Sequence, residues 1–167
     1  MEPRNIPLYK VHQSLKAKMI PFAGFNMPVR YSSDIEEHMA VRKRAGIFDV
    51  SHMGEFFIRG NHALDLIQWI SSNDASKLTP GKAQYSCMPN DSGGIVDDLI
   101  IYMIKDNEYM LVVNASNIEK DWDWIQKQNT MEAEIENASD NICLLAIQGP
   151  KATDAIQSLT RVPLNDI

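Results

Sequence analysis

Apolar residues recur along this chain with two periods, and the two periods divide it into helices and strands. Ser33-Asp34-Ile35-Glu36 has the spacing of a capping box, and Ile35, Met39 and Val41, with Gly46 as a stop, predict a helix near 34–45. A second helix begins after Asn61, where Ala63, Leu64, Ile67 and Ile70 fall on one face before Ser71-Ser72-Asn73-Asp74 ends the pattern. Another capping box, Ser116-Asn117-Ile118-Glu119, opens a third helix with the stripe Ile118, Trp122, Ile125. Trp124 cannot share that face, so Trp122 is expected in the core and Trp124 as a partly exposed anchor or packed on a missing neighbour. A fourth helix is expected from Pro150, with Ala152, Ala155, Ile156 and Leu159 as its buried side.

Strand patterns occupy 47–50, 55–59, 84–88, 95–104, 109–113, 132–137 and 142–147. The links at 90–94 and 106–108 are too short for parallel crossovers, so the three strands between 84 and 113 should form an antiparallel meander. The expected class is α+β, a mostly antiparallel sheet with flanking helices. No repeat, low-complexity tract or flexible linker interrupts the chain, which reads as one compact unit.

Composition agrees with a cored globular protein: 44% of the 167 residues are hydrophobic and 23% charged. With 16 basic and 22 acidic side chains the net charge is −6, which argues against a nucleic-acid partner. The local run Arg42-Lys43-Arg44 reads as a solvated helix flank. No run approaches the ~18 apolar residues of a membrane span, and the first residues carry no apolar signal core, so no membrane partner is expected and the cytoplasm is the expected address. Cys87 and Cys143 sit among apolar residues without CxxC spacing; free thiols are expected, with a single disulfide left open. His12, His38, His52 and His62 are scattered, so no metal is expected, and no glycine-rich phosphate loop is present.

Candidate chemistry concentrates at Gly93-Gly94-Ile95-Val96-Asp97-Asp98-Leu99-Ile100-Ile101-Tyr102, where two adjacent carboxylates interrupt an apolar strand. Asp97 shares a face with Ile95, Leu99 and Ile101, and Asp98 with Val96, Ile100 and Tyr102. Both faces look half-buried, so each carboxylate needs donors, a cation or a retained proton. One can brace the fold while the other faces a pocket; periodicity does not say which. Phe48-Asp49-Val50-Ser51-His52-Met53-Gly54-Glu55 places Asp, Ser and His in one turn, but residues so close in sequence do not line up as a catalytic triad. Asp49 and His52 are expected to tie the turn to backbone groups, and Met53 to pack in the core or against a flat heterocycle.

Taken together, several stretches carry a family resemblance. They are Pro7-Leu8-Tyr9, Lys18-Met19-Ile20-Pro21-Phe22-Ala23-Gly24, Met27-Pro28-Val29, Phe48 to Glu55, Gly93 to Leu99, Val112-Val113-Asn114-Ala115 and Gln148-Gly149-Pro150. In this order they resemble the N-terminal part of aminomethyltransferase, the T protein of the glycine cleavage system. The resemblance implies the first domain of the T-protein, folate-binding fold over 1–167, and a transfer reaction. An aminomethyl group on the lipoyl arm of the H protein gives its carbon to tetrahydrofolate, ammonia leaves and 5,10-methylenetetrahydrofolate forms. The implied partners are the lipoylated H protein and tetrahydrofolate, the latter as acceptor substrate.

The resemblance further implies that Asp98 is the catalytic residue, hydrogen-bonding the pterin or amine region so that a folate nitrogen attacks an iminium-like carbon. It should emerge from the middle strand of the meander into an apolar recess. The folate surroundings carried over by position are Met53, Tyr85, Asp98, Tyr102, Val112 and Asn114, with Asn114 offering a bidentate amide edge. Phe25 stands where the family usually has Trp. The family protein is longer and its later domains add folate contacts, so 1–167 is expected to be a truncated first domain, inactive or nearly so alone. The alternatives are a folate-dependent demethylase module and a non-enzymatic folate-binding scaffold of similar fold; the 93–99 pattern favours the transferase.

Overall fold

The turn at residues 90–94 is where local sequence most directly dictates structure. Asn90 Oδ1 accepts from the amides of Ser92 (3.0 Å) and Gly94 (2.9 Å), and Gly93 takes φ +80°, which a side chain would strain. The chain reverses there, and the expected meander follows. The computed structural model describes residues 2–166, and its mixed helices and antiparallel sheets make an α+β fold. Met1 and Ile167, the outer bounds of the expected 1–167 domain, lie outside the described residues.

In chain order the elements are β1 (Arg4–Asn5), α1 (Tyr9–Ser14), β2 (Lys18–Phe22), β3 (Phe25–Arg30), α2 (Asp34–Lys43), β4 (Gly46–Asp49), β5 (Gly54–Arg59), α3 (Ala63–Ile70), β6 (Ala83–Pro89), β7 (Ile95–Lys105), β8 (Glu108–Val113), α4 (Ile118–Gln128), β9 (Glu134–Asn137), β10 (Leu145–Gln148) and α5 (Ala152–Ile156). All seven expected strands form, with ends shifted by at most a few residues. Their contacts fall into two compact units, Met53–Ile142 and a second made of Met1–His52 with Cys143–Ile167, where the sequence pattern reads as one. The second unit is discontinuous because β4 pairs antiparallel with β10, Ile47 opposite Ile147, across 90 intervening residues that form the other unit.

The unit Met53–Ile142 is a five-stranded sheet in the order β6-β7-β8-β5-β9, antiparallel throughout. Alternation sends Phe56 and Ile58 of β5, Leu99 and Ile101 of β7, and Leu111 and Val113 of β8 to one face, all essentially buried. Leu66, Ile67 and Ile70 of α3 and Ile125 of α4 close over them. Each such side chain contributes roughly 1.5–3 kcal/mol of burial. Trp122 packs on Phe56 with ring centroids 5.1 Å apart, as expected of a core residue, and Trp124 also lies partly buried against the same cluster.

Three local expectations are corrected. Ser116 does not cap α4: residues 115–117 form a tight turn closed by Asn117 N to Asn114 O at 2.9 Å, and the helix starts at Ile118 with Asn117 as its N-cap residue. Ser33 does cap α2, accepting from Glu36 N at 3.1 Å, but it is Glu37 that reaches back, to the amides of Tyr31 and Ser32. The side of α5 expected to be buried is not; Leu159 is 82% exposed, and α5 has no buried residue.

In the second unit β1-β3-β2 form one small sheet and β4-β10 another. Its buried hydrophobic residues, among those described, are Ile6 and Met27, whereas Ile35 (79%) and Ile47 (65%) are exposed. No helix among the described residues is long and apolar enough to cross a membrane.

Candidate functional site

The register of the five-stranded sheet places Tyr85, Asp98, Tyr102 and Val112 on the face opposite α3 and α4. In β6, β7, β8 and β5, Tyr85, Ile100, Val112 and Glu55 stand opposite one another in a row. One step toward the turn, Cys87 is opposite Asp98. Asn114 immediately follows Val113, which pairs with both Leu99 and Gly54, so it reaches Asp98 across the end of β8; Met53 precedes Gly54. Tyr102, opposite Ala83 and Met110, lies two residues along from Ile100 on the same face. Gly54 permits this close approach: a Cβ there would stand 2.7 Å from Ile118 Cγ1 and 2.8 Å from Val113 Cγ2.

The Asp doublet divides its labour. Asp97 points to the core face and is 8% exposed; Asp98 is half-buried on the opposite face. Asp98 Oδ2 accepts from the Tyr85 hydroxyl at 2.8 Å, and Asp98 Oδ1 from Asn114 Nδ2 at 3.0 Å. Both donors are side chains, so the carboxylate is oriented without being consumed by backbone. The hydrogen bond to Asp98 is also the main reason the Tyr85 hydroxyl is harder to ionise than usual, so it remains a donor.

Two features differ from expectation. The surroundings of Asp98 are an open face, not an apolar recess: Tyr85 is 62% and Ile100 37% exposed. Asn114 cannot offer a bidentate amide edge, because its Nδ2 is committed to Asp97 Oδ1 (3.0 Å), Asp98 Oδ1 (3.0 Å) and the Asp98 carbonyl (3.2 Å). Its carbonyl end is what remains for a ligand. A cavity of about 650 Å³ along α2, lined by Ser32, Glu36, Glu37, Met39, Ala40, Lys43 and Arg44, contains none of the expected folate residues.

Two buried acids went unpredicted. Glu55 is completely buried with neither carboxyl oxygen hydrogen-bonded among the described residues, and burial pushes its pKa up to about 7. Asp121 of α4 is also completely buried. Burial, reinforced by the Asp97 carboxyl against it, pushes its pKa up to about 8. For Asp97 burial works upward too, but hydrogen bonds from Asp121, Asn117 and Asn114 outweigh it and hold its pKa below the usual value. A signal for Asp121 was present: it lies between Ile118 and Ile125 on the helix's apolar stripe, where an acid is costly.

In the other unit Asp49 does tie its turn to backbone, Oδ1 accepting from Ser51 N at 3.0 Å. His52 does not: Nδ1 has no partner among the described residues, and the ring packs edge-on against Phe22 and Phe25 at 5.7 and 6.4 Å. The polar partner of Asp49 is instead His12, Nε2 to Oδ2 at 2.7 Å, whose Nδ1 meets the Tyr31 hydroxyl at 2.7 Å. Cys87 and Cys143 are both free, and among the described residues no three His, Cys, Asp or Glu side chains group as a metal site.

Residues 8–167 match the family described as GCVT N-terminal domain. The aminomethyltransferase of Flavobacterium psychrophilum is 63% identical over 161 residues, covering 96% of this chain and 45% of that protein. That of Bacteroides fragilis is 55% identical over 164 residues, 98% of this chain and 45% of the relative. In three dimensions the chain resembles the crystal structure of glycine cleavage system aminomethyltransferase T from Bartonella henselae, with a TM-score of 0.90 and 33% identity over 98% of this chain and 45% of that one. The chain thus spans about half the length of the relatives it matches.

Proposed function

The chain belongs to the GCVT N-terminal domain family, and on that premise we propose that residues 1–167 are the N-terminal, folate-binding domain of an aminomethyltransferase of the glycine cleavage system. The one-carbon unit passes from aminomethyl-lipoyl H protein to tetrahydrofolate with release of ammonia. The observation that supports this best is Asp98, a carboxylate oriented by Tyr85 and Asn114 on the face of the sheet left uncovered by α3 and α4.

Asp98 has the chemistry the transfer needs. A carboxylate that accepts a hydrogen bond from a folate nitrogen raises electron density on that nitrogen and stabilises positive charge as it attacks the iminium-like carbon. Fixing the carboxylate beforehand removes part of the reorganisation cost. Tyr85 and Tyr102 supply aromatic surface, Met53 and Val112 apolar surface, and Asn114 its carbonyl oxygen for the pterin. The compartment proposed with this reading is the cytoplasm, supported by two free cysteines.

The test is a chimera in which this chain replaces the matching 161 residues of the Flavobacterium psychrophilum aminomethyltransferase, assayed for tetrahydrofolate-dependent ammonia release from aminomethyl-loaded H protein. The chimera should turn over, and Asp98→Asn should lower kcat by about a hundredfold or more. Unchanged turnover in Asp98→Asn would remove Asp98 from the mechanism.

A further inference from the structure

The Asn114 amide alone does not suffice for the acceptors around it. Asn114 Nδ2 carries two hydrogens and faces three oxygens, Asp97 Oδ1, Asp98 Oδ1 and the Asp98 carbonyl, at 3.0–3.2 Å. Asp97 Oδ2 is buried, and so are both oxygens of Asp121; among the described residues none of the three has a hydrogen-bond partner. Yet the two carboxyls act on each other, Asp121 holding the Asp97 pKa down and Asp97 pushing the Asp121 pKa up. Two desolvated carboxylates coupled in this way hold a proton between them.

We propose that Asp121 is a positioning residue of the candidate site, acting through Asp97: its protonated carboxyl donates to Asp97 Oδ2 and so lets the Asn114 amide hold Asp98. The location of the proton follows from the surroundings. Asp121 is completely buried on α4, whereas Asp97 also receives Asn114 and Asn117. The charged groups around Asp121 are Asp97 and Asp98 of β7 and Lys120 of its own helix. Lys120 Nζ lies 4.0 Å from Asp121 Oδ1 and donates to the Val96 carbonyl at 2.6 Å; its charge pulls the Asp121 pKa down, but burial and the Asp97 carboxyl outweigh it. Loss of the Asp121 proton would add a negative charge beside Asp97, draw the Asn114 amide toward it and free Asp98.

The role toward folate rests on the proposed function; the coupling to Asn114 does not, and one experiment separates them. In this chain, labelled for nuclear magnetic resonance, the aspartate carboxyl carbons and the Asn114 side-chain amide are followed from about pH 5 to about pH 10 in the wild type, Asp121→Asn and Asp121→Leu. One carboxyl, identified by its absence in Asp121→Asn, should titrate near pH 8, and the Asn114 amide should shift with the same midpoint. Asp121→Asn keeps a donor toward Asp97, so its Asn114 amide should stay at the wild-type neutral-pH position at every pH. Asp121→Leu should displace it at every pH. Titration of Asp121 in the ordinary carboxylic range, or an Asn114 amide indifferent to both substitutions, overturns the inference. Tetrahydrofolate added at each pH should bind about tenfold more weakly to Asp121→Leu than to Asp121→Asn. Equal affinity would overturn the role toward folate, and absence of binding to any form, with the coupling intact, would count against the folate reading alone.

Discussion

Replacing Glu55 by Gln should make the protein more stable, and increasingly so as the pH rises. Glu55 is fully buried in β5 with no hydrogen bond to either carboxyl oxygen among the described residues, and desolvation raises its pKa from 4.5 to about 7. Between those values the native state holds a proton that the unfolded chain has released. The contribution of the neutral acid is therefore complete below about pH 4.5 and is lost progressively as the pH rises to about 7. At about 1.4 kcal/mol per pH unit, the interval amounts to about 3 kcal/mol. Gln has nearly the same shape and never ionises. The two proteins should match within about 1 kcal/mol near pH 4.5, and Glu55→Gln should gain about 3 kcal/mol at neutral pH. Urea unfolding followed by tryptophan fluorescence measures this directly, because Trp69, Trp122 and Trp124 all lie in the same unit as Glu55. With an m-value of ~2 kcal/mol/M the midpoints should separate by about 1.5 M at neutral pH. A difference that does not change with pH would mean that Glu55 is not held neutral by burial.

Gly54→Ala should cost about 1–3 kcal/mol in the same assay, since its Cβ would stand 2.7 Å from Ile118 and 2.8 Å from Val113 where β5 passes α4. Asp49→Asn should weaken the other unit. Burial pushes the Asp49 pKa up, but hydrogen bonds from Ser51 and His12 prevail and leave it below 3.8. Its stabilisation is therefore present above about pH 4 and lost in stronger acid. Amides of β4 should exchange faster in the variant by an amount equivalent to about 2 kcal/mol at neutral pH, and the difference should vanish in strong acid.

How much of this was legible in the sequence depended on whether a single periodicity ran undisturbed. Strands β6 to β8 were legible because their core-facing residues alternate and their turns are short and rich in Gly, Asn and Asp. Strands β2 and β3 gave no such signal: Pro21 and Pro28 sit inside them, tolerated because β2 is an edge strand and β1 pairs with β3 only at Phe25 and Asn26. The exposure of Ile35 and Leu159 could not be read, because a helical stripe marks a face without saying whether anything covers it. The site was half legible. Strand alternation separated the faces of Asp97 and Asp98, but which face the helices cover depends on packing across the sheet. The Asp97–Asp121 contact joins residues of a strand and a helix that no local pattern links, and the His12–Asp49 pair spans 37 residues.

The proposed function requires that the Asp98 face of the sheet receive the pterin. Chemical-shift mapping of this chain during titration with tetrahydrofolate, which detects even weak association, tests it most directly. Perturbations should centre on Tyr85, Asp98, Val112 and Asn114 and disappear in Asp98→Asn. Perturbations centred on any other surface, or unchanged by that substitution, would contradict it.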